Sequence, residues 1–134
     1  MLRLEQLTDD AFEPFGWVLE PKHDRFQLVL ERPDAAGWQI GLLQTVDSHT
    51  AMMHRHLDTD ECFAPVEGNN VLLVATEADP DDIRAFALTG PACVKAGTWH
   101  TMLTRTPPGL VFIAEGHCPT SEDRDTGRRL DCPA

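Results

Sequence analysis

The stretch "MMHRHLDTDECFAPVEG", residues 52–68, sets two imidazoles one residue apart, His54 and His56, then a carboxylate, Glu61, and a glycine, Gly68. Imidazole nitrogen and carboxylate oxygen form a good donor set for a divalent metal ion. A third imidazole, His100, follows in "KAGTWHTM", just after Gly97. His54, His56, Glu61 and His100 are therefore the candidate ligands. Four such donors leave open positions on a six-coordinate ion, and those positions admit water, dioxygen or a bidentate substrate. With neutral imidazoles and an ionised Glu61 the local charge stays positive, which favours a small anionic ligand such as a carboxylate or enolate. Imidazole binds metal only when deprotonated, so affinity should fall as pH drops below about 6.5. Nitrogen and oxygen donors accept Zn, Mn, Fe, Ni or Co alike, so the donor set leaves the metal's identity open.

Other residues could act beside such an ion. Glu115 and His117, at the end of a late apolar run, are candidates for moving a proton. Lys95, ahead of Gly97, is a candidate anchor for a substrate carboxylate. Arg55 lies between the two histidines and should point to the opposite face. Trp99 precedes His100 and should face away, into packing. Met52 shares the His54–His56 face and Phe63 the Glu61 face, as pocket wall or core. His23 falls in a turn and His49 opens a strand.

Positioning these groups is work for strands. Residues i and i+2 of a strand share a face, so one strand would present His54 and His56 together. The turn "LDTD" (57–60) would then return Glu61 opposite them. In a barrel, distant strands line one interior, so His100 can join from far along the chain. The rest of the sequence agrees. Short apolar runs at 16–20, 25–31, 37–46, 49–56, 61–66, 70–77, 83–88, 92–103 and 109–115 alternate with turns rich in Gly, Pro and Asp. That pattern predicts an all-β sandwich or barrel of the jelly-roll kind. Residues 70–77 are apolar enough for burial on both faces, and Gly97 should bend the 92–103 run. The only helical signal is one turn over Asp9–Phe12, capped by Thr8. Residues 119–134 are polar and weakly patterned, and are expected to form a tail that packs over a barrel mouth or stays mobile.

Composition narrows the function. The 134 residues suit one domain, and 42% apolar with 25% charged residues is ordinary for a globular protein. Eleven basic against 22 acidic residues give a net charge of −11, with no basic run to track a phosphate backbone, so nucleic acid is not an expected partner. No stretch approaches the roughly 20 apolar residues of a membrane span. The N-terminal residues lack the apolar core of a secretory signal, which makes the cytoplasm the expected location. Cys62, Cys93, Cys118 and Cys132 form no CxxC pair, and Cys62 and Cys93 read as small core residues on strands.

The residues also carry a resemblance. "HRHLDTDECFAPVEG" is similar to the first cupin motif, HxH, four residues, Glu, six residues, Gly. "KAGTWH" resembles the second, with Lys95 in place of its proline. The cupin resemblance implies a single-domain double-stranded β-helix, or jelly-roll barrel, over residues 1–118, with a divalent metal ion inside. "LEQLTDDAFEPFGWVLE" and "ECFAPVEGNNVLLVATEADPDDIRAFALTGPACVKAGTWHTML" resemble, more narrowly, the ureidoglycolate lyases. In that family Glu stands at the position of His54 and Gln at that of Glu61, while His56 and His100 match. Near Glu115–Cys118 its members show an Asp-Arg-Gly type sequence, where this chain has "AEGHC". The resemblance implies a metal-dependent lyase or hydrolase acting on a small hydroxy or ureido carboxylate. Its reaction would split ureidoglycolate into glyoxylate and urea, with Glu115, His117 and Lys95 as catalytic candidates. It also implies a homodimer. Two other cupin chemistries use the same donors: a dioxygenase or isomerase with Fe(II) or Mn(II), and a non-catalytic metal-binding or small-molecule-binding barrel.

Overall fold

The computed structural model describes residues 1–19, 25, 37–117 and 119–134. Most of the 25–31 run, the Pro21 turn, His23 and Cys118 lie outside the described residues. The described chain is nearly all strand. In order it runs β1 (Leu4–Glu5), α1 (Asp9–Phe12), β2 (Gly16–Val18), β3 (Trp38–Thr45), β4 (His49–Arg55), β5 (Glu61–Glu67), β6 (Asn70–Ala75), β7 (Arg84–Ala87), β8 (Ala92–Val94), β9 (Trp99–Thr104), β10 (Gly109–Gly116) and β11 (Glu122–Asp131). Thr8 caps α1 as expected, its hydroxyl accepting the Ala11 amide at 3.3 Å.

Two sheets face each other. One has the order β1-β7-β6-β9-β4-β11 and the other β2-β8-β5-β10-β3. Nearly all pairings are antiparallel between strands distant in sequence, the arrangement of a jelly-roll barrel. Between the sheets lies a core of Phe12, Phe15, Phe63, Leu72, Val74, Phe86 and Val111. The rings of Phe12 and Phe86 meet edge to face at 5.1 Å, so the single helical turn plugs one side of the barrel.

A second apolar layer covers the outer face of the six-stranded sheet, where Met53, Val71, Leu73, Trp99 and Leu103 pack with Leu2, Leu4, Leu130 and Cys132. This layer explains why every residue from Val71 to Ala75 is fully buried. It also corrects the expectation of a polar tail. Residues 122–131 form β11, paired with β4 at one edge of the sheet. Backbone hydrogen bonds need no apolar side chains, and Leu130 is the one buried residue of the strand. The short β1, parallel to β7, was equally unforeseen.

Two glycines close turns of the barrel, Gly97 beside the site and Gly68 at the opposite end of β5. Gly68 has φ +86°, and a Cβ there would sit 2.8 Å from the Gly109 Cα. Gly97 has φ +87° and donates its amide to the His56 carbonyl at 2.7 Å. Both positions require the left-handed region that glycine enters without penalty.

Candidate metal centre

The barrel interior brings three predicted ligands together. The donor atoms of His56, Glu61 and His100 all lie within 4.8 Å of one another. Glu61 comes from the first residue of β5, in the five-stranded sheet. His100 comes from β9, in the facing sheet. His56 comes from the residue just after β4. His100 Nε2 is 2.9 Å from Glu61 Oε2, and His56 Nε2 is 3.4 Å from the same oxygen. The Phe63 ring meets His100 edge-on at 5.6 Å and fixes its plane.

The outer nitrogens of both rings are committed. His56 Nδ1 lies 2.8 Å from the Thr120 carbonyl and His100 Nδ1 lies 3.0 Å from the Thr98 carbonyl. A carbonyl only accepts, so each Nδ1 carries the proton and donates. In neutral rings each Nε2 then presents a lone pair toward Glu61, itself an acceptor. Facing acceptors need a cation between them, a proton or a metal ion. Histidines that bind metal are held in this way by their other nitrogen. Glu61 Oε2 is buried and lacks a hydrogen bond, which fits the same requirement. The residues present therefore suit a divalent ion.

The electrostatics are strongly coupled. Burial alone would push the Glu61 carboxyl up, but the imidazoles of His100 and His56 override it and hold the group below the ordinary carboxylate range. Burial would push His100 down, yet its contact with Glu61 raises it instead.

The fourth expected ligand is elsewhere. His54 Nδ1 pairs with Asp123 Oδ1 at 2.7 Å, and its side chain is 44% exposed. β4 ends at Arg55, so the strand alternation that would align His54 with His56 does not extend to His56. Among the catalytic candidates, only Glu115 faces the cluster, with Oε2 at 3.4 Å from His56 Nε2. Lys95 Nζ instead donates to the Glu13 carbonyl at 2.6 Å and lies 3.7 Å from the Glu13 carboxylate, tying down the segment after α1. His117 is exposed, and its backbone amide donates to Gly37.

Arg55 and Trp99 do face outward: the guanidinium lies 4.4 Å over the indole and donates to Glu122. Sequence reasoning missed Gln39, whose Nε2 donates to Glu115 Oε1 at 2.8 Å, and the two carbonyls that orient the imidazoles. No sequence signal pointed to Gln39, because only the pairing of β3 with β10 turns it inward.

A two-sheet β-barrel with a His-Glu-His cluster inside defines a protein of the cupin class. The comparisons with known proteins narrow this. The ureidoglycolate lyase family profile matches residues 31–125, more than half of the chain. A ureidoglycolate lyase of Brucella ovis is 33% identical over 122 residues, spanning 74% of this chain and 72% of its own. Ureidoglycolate lyase 1 of Rhizobium meliloti is 29% identical over 136 residues, spanning 84% and 80%. The chain belongs to the ureidoglycolate lyase family. Among solved structures it is similar to a mutant of Bacillus subtilis oxalate decarboxylase, with TM-score 0.49 and 18% identity over 66% of this chain and 24% of that one. A sugar 3,4-ketoisomerase from Thermoanaerobacterium thermosaccharolyticum gives TM-score 0.47 and 13% identity over 69% and 64%.

Proposed function

We propose that this protein is a metal-dependent lyase that splits ureidoglycolate into glyoxylate and urea. The observation that carries the reading is the convergence of His56, Glu61 and His100 inside the barrel of a chain from this family. In the reaction the C–N bond breaks, the hydroxyl becomes the glyoxylate carbonyl, and its proton passes to the departing urea nitrogen. A divalent ion held by the three residues would supply chelation of carboxylate and hydroxyl and stabilise the developing oxyanion.

The chain's own groups prepare that site. The Thr120 and Thr98 carbonyls keep both Nε2 atoms free for the ion, and Phe63 shields His100 from water. Lys95 is tied to Glu13 and His117 is exposed, and neither is given a step. Arg55 packs over Trp99 and Lys95 is tied to Glu13, so neither is given the substrate carboxylate.

Elemental analysis of the purified protein, together with glyoxylate release from ureidoglycolate without oxygen, tests the reading. Release that a chelator abolishes and a divalent ion restores is the expected result. Iron with substrate-dependent oxygen uptake would instead identify an oxygenase.

The family's pairing of barrels is part of the same reading. The exposed Trp38, Ile40 and Leu42 on the outer face of β3, an edge strand among the described residues, support it, and sedimentation analysis would test it. A reducing compartment such as the cytoplasm is part of the same reading, and Cys132, outside any disulfide, supports it. No helix of the described residues is long and apolar enough to cross a membrane.

A further inference from the structure

Glu115 and Glu61 lie directly opposite one another on β10 and β5. Both point inward, and their side chains are only 13% and 8% exposed. Like charges in register across a strand pair destabilise a sheet, and burial increases the cost. Glu115 Oε2 and Glu61 Oε2 are moreover buried without hydrogen bonds, and each stands 3.4 Å from His56 Nε2. The two orphaned carboxylate oxygens thus flank the His56 nitrogen, and Glu115 stands beside the His56–Glu61–His100 group. The other oxygen of Glu115 is held by Gln39, its neighbour in register on β3. This is the kind of support that orients a ligating carboxylate.

We propose that Glu115 is the fourth protein ligand of the metal centre, that Gln39 is its positioning residue, and that His54 stays outside. The inference rests on the metal-dependent reading of this site. Two carboxylates and two neutral imidazoles balance a divalent ion without residual charge, which repays the cost of burying the carboxylates together. The pairing of His54 with Asp123 is consistent with this assignment, because its ring is held at 44% exposure.

The test uses Mn(II) and Zn(II) as probes, with affinity from calorimetry and thermal unfolding of the apo and loaded protein. Glu115→Gln should lose at least about 100-fold in affinity, beyond the roughly 10–100-fold that removal of an orienting partner costs in Gln39→Met. Its apo form should melt no lower than wild type, since the facing charge is gone, while the rise on adding metal disappears. Gln39→Met should shrink the rise in melting point on adding metal, which a merely structural role would leave unchanged.

Should Glu115→Gln not fold, Gln39→Met decides the question alone. Wild-type affinity in whichever of these variants folds, or a large loss in His54→Ala, overturns the assignment and leaves the metal-dependent reading standing. Wild-type protein that binds neither ion removes that reading and this inference together. Glu115→Gln that keeps its metal but loses glyoxylate release would make Glu115 a proton carrier instead.

Discussion

His54 and His100 stand opposite each other in register on β4 and β9, yet their rings serve different partners. His100 Nε2 reaches Glu61 at 2.9 Å, whereas His54 Nδ1 reaches Asp123 at 2.7 Å. The two therefore differ in burial, and the metal reading weights them unequally. His100→Ala should abolish metal retention and glyoxylate release, measured by elemental analysis and a coupled glyoxylate assay. Asp123→Asn should leave both in place, because it touches only the exposed histidine.

Gly68 is the glycine that ends the first motif, and its role is steric. Alanine there combines φ +86° with a Cβ 2.8 Å from the Gly109 Cα. Gly68→Ala should cost about 1–3 kcal/mol of stability from backbone strain alone, with the clash adding to it. Urea unfolding followed by tryptophan fluorescence would show the loss as a lower midpoint at unchanged slope.

Leu130 tests whether β11 is structural. It is only 2% exposed in the outer layer of the six-stranded sheet, although its neighbours in sequence are polar. Leu130→Ala should destabilise the protein by about 2–5 kcal/mol, as for other buried leucines. A change within error in the unfolding midpoint would mean that the C-terminal strand carries no packing energy.

The pair Glu5–Arg84 joins β1 to β7 and sets an acid limb of stability. The Arg84 hydrogen bond, against burial, holds the Glu5 carboxyl below the ordinary range. Because the folded value is lowered, the contribution is complete above the unfolded value of roughly 4.3 and disappears as pH falls through the folded one. Glu5→Gln should lower the melting temperature near neutrality, by an effect within about 1 kcal/mol for a half-exposed pair. The two melting curves should converge in acid. A gap that persists at low pH would assign the loss to packing instead.

Much of the architecture was legible in the chain. Strand runs bounded by Gly, Pro and Asp are local signals, and β4 to β10 all fall within or close to the predicted runs. The Thr8 cap and the Gly97 bend are equally local, because one residue's chemistry or φ decides each. β11 escaped because an edge strand held by backbone bonds needs no apolar alternation. The face of β3 escaped for a related reason. "GWQIGLLQTV" has apolar residues on both faces, and the structure turns Trp38, Ile40 and Leu42 outward and Gln39 inward. A slip of one residue would exchange those faces, and only pairing with β10 settles it.

The residue types and spacing by themselves determined that a His/Glu cluster inside a small β-barrel was available, since donor chemistry and strand period are properties of short stretches. Which donors meet was decided only by the tertiary structure. His54 and His56 are two residues apart, but β4 ends between them, and Asp123 from the far end of the chain takes one of the rings. Glu115 and Gln39 reach the centre through a register between β10, β5 and β3 that spans most of the sequence. Convergence of distant strands is set by pairing and core packing, and neither is written in any local pattern.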